Sequence, residues 1–185
     1  MAAQNKSPAT YRDLEDLPPG IKGENIEGTL YTQPRPSPRH KRVGSLIYRR
    51  LFDTYDCGAG GPGRWWLLLE PGIEQPGSPE FSPDVAGWRK ERLPELPAKF
   101  TTIPDWICEV LSPSNRQYDL SVKRPFYARS GLPFLWFIDV DARTLMVHRL
   151  VDGKWLELGV WAEDALVRAP PFEEVELSLG ELWTK

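Results

Sequence analysis

Apolar and polar positions along the chain change period several times, and each change marks an element. Residues 24–31 alternate around Glu27-Gly28, with Ile26 and Leu30 apolar, which predicts a small strand or hairpin. From Arg39 the period becomes helical, with Val43, Leu46, Ile47 and Leu51 on one face, predicting a helix to about Tyr55. A strand is expected at residues 65–69, and a short apolar strand at residues 85–88 is entered through Pro83-Asp84. Residues 106–111 form a nearly continuous apolar run closed by Ser112-Pro113-Ser114-Asn115, the pattern of a buried central strand. Residues 118–129 read as a helix stopped by Gly131, although Pro125 inside it counts against that assignment. Residues 134–139, 144–150 and 155–161 then predict three strands joined by hairpin turns, and residues 175–177 one more in the tail. The polar, proline-rich stretches 71–83 and 89–99 read as loops.

This order predicts an α/β (α+β) fold: a mixed β-sheet flanked by helices, extended by an antiparallel β-hairpin or meander. At 185 residues with 41% hydrophobic positions, one cored domain is expected, spanning residues 21–185 behind a loosely docked leader at 1–20. The leader has no apolar segment of signal-peptide type, and no apolar run approaches a membrane span. Two cysteines, Cys57 and Cys108, make no disulfide framework, so a reducing, cytoplasmic setting is expected. The 8 tryptophans imply an aromatic core or an aromatic surface, and the 19 prolines short elements with stiff connectors. A net charge of -3 argues for no polyanionic partner, so any such contact needs a local patch. The exposed side of the first long helix offers one in Arg39, Lys41, Arg42, Arg49 and Arg50, unless it is simply a solvated face.

Glu109 is the sharpest anomaly. A carboxylate inside Trp-Ile-Cys-Glu-Val-Leu needs a cation, a metal or a hydrogen-bond set, unless strand alternation turns it, with Ile107 and Leu111, toward solvent. Asp84 and Asp105 both follow a proline at a strand start, as turn formers or as carboxylates converging from neighbouring strands on a hard divalent cation. Lys123 lies one helical turn after Asp119, a spacing that also suits an ordinary surface ion pair. The loop at residues 57–63 is glycine-rich, but no Lys-Ser/Thr succeeds it and a strand comes next, so a phosphate loop is not expected. With two histidines and no Cys/His cluster, neither zinc nor a Ser-His-Asp triad is expected; His148 reads as a surface residue and His40 as a cap or packing residue.

The run Pro104-Asp-Trp-Ile-Cys-Glu-Val-Leu-Ser-Pro-Ser114, then Tyr118-Asp119, Lys123, Tyr127-Ala-Arg-Ser-Gly131 and Phe134-Leu-Trp-Phe-Ile-Asp139, resembles the Uma-type family of restriction endonucleases. That family belongs to the PD-(D/E)XK nuclease superfamily. Glu24-Asn-Ile-Glu-Gly resembles its opening hairpin, Pro38-Arg-His40 its His-led first helix, and Pro83-Asp-Val-Ala-Gly-Trp88 its first catalytic strand; the likeness spans about residues 11 to 183. The resemblance implies a restriction-endonuclease-like fold in which Asp84 and Glu109 bind Mg2+ (or Mn2+) with the backbone carbonyl of Val110. The superfamily lysine two residues after the acid is replaced by Leu111, and Lys123 is implied as its substitute. Glu24 and Glu70 are weaker candidate acids, and Gln117 a polar neighbour. The implied activity is metal-assisted hydrolysis of DNA phosphodiesters, with the basic helix face on the backbone and a homodimer to cut both strands. The alternative is a catalytically inactive module of the same fold that binds DNA or protein, for which the displaced lysine and the negative net charge argue.

Overall fold

The computed structural model describes residues 8–58 and 63–183. After a short helix α1 (Tyr11–Glu15), β1 (Ile21–Ile26) and β2 (Thr29–Pro34) form the expected hairpin, turning at Glu27 and Gly28, both in the left-handed region. Ala9 is tied to this hairpin by its N–H to Gly28 O and by its carbonyl, which accepts from Asn25 Nδ2.

Helix α2 (Pro38–Leu51) starts where Ser37 accepts the His40 N–H and a proline occupies its first turn. It continues as a wider π-helical turn (Phe52–Asp56), so the helical segment ends close to its expected limit. A six-stranded sheet then forms the middle layer, in the order β10 (Lys154–Ala162), β9 (Thr144–Val151), β8 (Phe134–Asp139), β7 (Trp106–Leu111), β6 (Val85–Arg89), β3 (Trp65–Leu69). Within this sheet β7 and β8 run parallel, joined by the helical segment that crosses the sheet face.

That segment comprises α3 (Arg116–Tyr118), a π-helical turn (Asp119–Lys123) and α4 (Arg124–Arg129). Pro125 is accommodated because it falls in the first turn of α4, where a missing N–H is least costly. Three sequence expectations are corrected. The stretch 71–83 holds a small hairpin, β4 (Ile73–Gln75) and β5 (Ser78–Phe81), whose Ile73 and Phe81 are buried. The tail strand is Leu177–Ser178 (β12), paired with Leu166–Val167 (β11), rather than residues 175–177. His148 is buried because the rings of Phe137 and Trp155, on the same face of the neighbouring strands, close over it.

The sheet separates two cores. One, under α2, holds Trp106, Cys108, Val110 and Trp136, with Phe172 from the tail meeting Tyr55, Trp65, Trp106 and Trp136 edge-on or tilted. The other, under α4, holds Ile107, Leu111, Phe126, Tyr127 and Phe137. Trp65, Trp88, Trp106 and Trp136 are buried, so these aromatic residues serve the core. Gly87 marks a close approach inside the sheet: a Cβ there would lie 2.8 Å from Leu67 Cδ2 and 3.2 Å from Trp65 Cε3. Gly87→Ala is expected to cost about 1–3 kcal/mol by overpacking, measurable by urea unfolding. A stability equal to wild type would contradict that close approach.

Candidate active site

Strand pairing assembles the site. Because β6 runs antiparallel to β7 with Val85 opposite Cys108, Asp84 arrives beside Glu109. The same antiparallel pairing sends Asp105 to the far end of β7, where it accepts the Arg89 N–H and pairs with Arg92. The two Pro-Asp strand starts therefore do not converge; Asp84 converges with Glu109.

Asp84 Oδ2 accepts the Val110 N–H at 2.8 Å, extending the ladder with a side chain just before β6 begins. Its Oδ1 lies 2.9 Å from His40 Nε2 on α2. Burial alone would raise the Asp84 pKa, but His40, Lys22 and Lys123 outweigh it and hold the carboxyl at about 2. His40, expected as a cap or packing residue, thus belongs to the site.

Glu109 is 1% exposed, which excludes a solvated face for it. Lys123 Nζ lies 2.6 Å from Glu109 Oε1, and the Tyr127 hydroxyl donates to the same oxygen at 2.5 Å. Burial pushes the Glu109 pKa up, Lys123 opposes this, and the charges of Asp84 and Glu24 reinforce it.

Lys123 is no surface residue. Both it and Asp119 are buried, because the π turn keeps these two positions stacked on the face that packs against the sheet. Lys123 Nζ also lies 3.4 Å from Glu24 Oε1 and 3.8 Å from Asp119 Oδ1. Burial favours the neutral amine, yet these carboxylates hold Lys123 well on the charged side. Burial likewise pushes Asp119 well above the usual carboxylate range. Glu24 is fixed by accepting the Ser82 N–H at 2.7 Å.

Other expected participants fall elsewhere. Gln117 is exposed, with its carbonyl accepting from Ser121, and Asn115 takes the polar position instead. Asn115 donates to the Val110 carbonyl at 3.2 Å and accepts from the Ser112 N–H at 2.6 Å. Glu70 stands at the end of β3 and pairs with Lys41 at 3.2 Å. On α2, Arg39 pairs with Asp141 and Arg50 with Glu181, while Arg42 and Arg49 remain on the exposed side. Of the glycine-rich loop, residues 59–62 lie outside the described residues, and the loop leads into strand β3.

Asp84, Glu109, Asp119, Asn115 and Lys123 line a slot of about 10 Å³, the room of one water or one ion. A wider cleft of about 200 Å³ adjoins it, shares His40 and Asp84, and is floored by Gly44. No group of three or more His, Cys, Asp and Glu among the described residues is arranged to hold a metal ion, and protein donors occupy one oxygen of each expected carboxylate. The donor chemistry nevertheless fits a hard cation. All the acids offer oxygen, and Glu24 Oε2 and Asp119 Oδ2 are buried without a hydrogen-bond partner. From sequence, His40, Asp119 and Tyr127 were not legible as site members by residue type. The signal that could have marked Asp119 and Tyr127 is their place one turn from Lys123 in the helix after the acidic strand.

No helix among the described residues is long and apolar enough to cross a membrane. No curated protein matches the chain. The chain is similar over 95% of its length to the crystal structure of "a putative nuclease belonging to DUF820 from Anabaena variabilis ATCC 29413", with a TM-score of 0.75 and 27% identity, covering 98% of that chain. The mixed sheet with a helix over each core is thus the fold of that protein. Residues 8–180 match the model of the family Uma2, described as "Putative restriction endonuclease". The chain belongs to the Uma2 family.

Proposed function

We propose that this protein is a Mg2+-dependent endonuclease that hydrolyses DNA phosphodiester bonds, with Asp84, Glu109 and Lys123 at the reacting centre. The observation that carries this reading is the buried meeting of two carboxylates and one lysine from two adjacent strands and the crossing helix. A divalent ion held by Asp84, Glu109 and the Val110 carbonyl would lower the pKa of a bound water and offset charge on the phosphate. Asp84, with its pKa at about 2, stays anionic at any neutral pH. His40 and the Val110 N–H orient it, and Tyr127 orients Glu109. Lys123 supplies a fixed positive charge beside the developing negative charge and orients the attacking water. Cutting both strands of a duplex calls for two such sites, so a homodimer is part of the proposal; sedimentation equilibrium of the purified protein checks it.

Plasmid cleavage tests the reading. Wild type is expected to nick or linearise plasmid with Mg2+ or Mn2+, and Asp84→Asn to lose about 10²–10³-fold in rate. If wild type cuts no DNA and binds no divalent ion by calorimetry, the second reading takes over: an inactive module of this fold. Its support is that protein donors already satisfy Asp84 and Glu109.

A further inference from the structure

The slot between Asp84 and Glu109 has the volume of a single water or ion, so a phosphodiester must meet these groups from the adjoining cleft. That cleft does not end at the site. Lys41 and Glu70 also border a second depression of about 270 Å³, lined by Lys22 and Arg35 with Glu80, so the two form one groove across the mouth. On the outer face of α2, Asp141 and Glu181 neutralise Arg39 and Arg50, and Arg42 and Arg49 are exposed but do not line the groove. Arg35 is exposed and has no carboxylate partner among the described residues, while Lys22 is held in place by its bond to Ser82 O at 2.9 Å.

Among the described residues, Glu70 is the acid that neutralises a lysine of this groove. Its φ of 45° puts a non-glycine residue in the left-handed region, and its N–H donates to Asp84 O at 3.0 Å. Backbone strain of this kind is kept where surrounding structure enforces it, and it clusters at functional sites. Beneath the pair, Gly44 keeps the floor open: a Cβ there would meet only Val110 Cγ2, at 3.9 Å.

Resting on the nuclease reading above, we propose that the nucleic-acid phosphate backbone runs along the groove of Lys22, Arg35 and Lys41, and that the Lys41–Glu70 ion pair closes the groove until a phosphate displaces Glu70. Lys41 exchanges one oxyanion partner for another, so opening costs little charge pairing, and the carboxylate of Glu70 repels any strand that enters without making that exchange.

The test is fluorescence anisotropy of a fluorescein-labelled DNA duplex, with full-length protein in EDTA so that binding is read without cleavage. Arg35→Gln/Lys41→Gln is expected to weaken binding at least about tenfold and to lower the slope of log K against log salt by about two. Arg42→Gln/Arg49→Gln, on the outer face of α2, is expected to bind as wild type does. Glu70→Gln is expected to tighten binding several-fold by freeing Lys41. Gly44→Val, melting within a few degrees of wild type, should lose cleavage because its side chain fills the floor. Wild type that binds DNA, with the groove variant unchanged and the outer-face variant weakened, overturns the groove assignment and leaves the nuclease reading standing. Glu70→Gln binding no tighter than wild type overturns the closing role of the ion pair. Wild type that neither binds nor cuts DNA overturns both the groove and the nuclease reading.

Discussion

Lys123→Met is expected to lower the unfolding free energy by about 3–5 kcal/mol at neutral pH, the loss typical of removing one partner of a buried ion pair. Lys123 is 2% exposed and is the cation within 4 Å of Glu24, Glu109 and Asp119, all of them buried. Methionine keeps the length and apolar stem of the side chain, so the loss reports charge rather than volume. The pH dependence has a definite sign. Glu109 and Asp119 have folded pKa values above their usual 4.5 and 3.8, so the folded state binds more protons than the unfolded one. Their contribution to stability therefore falls as pH rises above those usual values. Without Lys123 the two pKa values rise further and the fall steepens, so the variant should recover part of its stability between pH 7 and pH 5. Asp84 acts in the opposite sense: depressed to about 2, it stabilises above its usual 3.8 and loses this only as pH drops toward 2. Urea unfolding at pH 5 and pH 8 measures the effect. A variant within about 1 kcal/mol of wild type at both values would mean that Lys123 is not the charge that holds this cluster together.

Glu109→Gln is expected to separate function from stability. Cleavage should fall about 10²–10³-fold, because the charged carboxylate that would hold the divalent ion becomes a neutral amide. Stability should rise, by about 1 kcal/mol or about 2–4 °C in melting temperature, because one of the buried anions with a raised pKa is removed. Lys123 loses its nearest partner but keeps Glu24 at 3.4 Å and Asp119 at 3.8 Å. Calorimetric melting and plasmid cleavage on the same preparation give both readings. A melting temperature well below wild type would show that the Lys123–Glu109 contact at 2.6 Å contributes more than the burial of the carboxylate costs.

Elements with a strong period are legible in the sequence. The helix from Pro38, the hairpin turning at Glu27-Gly28 and the strands at residues 106–111 and 134–139 each bury one face or both, and burial imposes the pattern that reveals them. The hairpin at Ile73–Gln75 and Ser78–Phe81 is not legible, since strands of three and four residues carry too little alternation among Pro and Gly to register. His148 escapes a sequence reading for a related reason: one polar residue on a strand says nothing of which rings close over its face of the sheet.

The site divides along the same line. By itself the sequence determined that a carboxylate occupies the middle of an apolar strand, that an aspartate opens another, and that a lysine lies on the next helix. These are local facts of composition and spacing, and the family motif is built from them. The tertiary structure alone decided who meets whom. Antiparallel pairing of β6 with β7 put Asp84 beside Glu109 and sent Asp105 away. Packing of the π turn on the sheet changed Asp119 and Lys123 from an apparent surface pair into the buried charges of the site. Helix α2 contributed His40 from the opposite face of the sheet, while the acids of distant segments neutralised part of its basic side. The physical reason is that a charge acts through space. Its neighbours within a few ångströms are set by strand register and helix docking, and neither can be read from the spacing of residues along one segment.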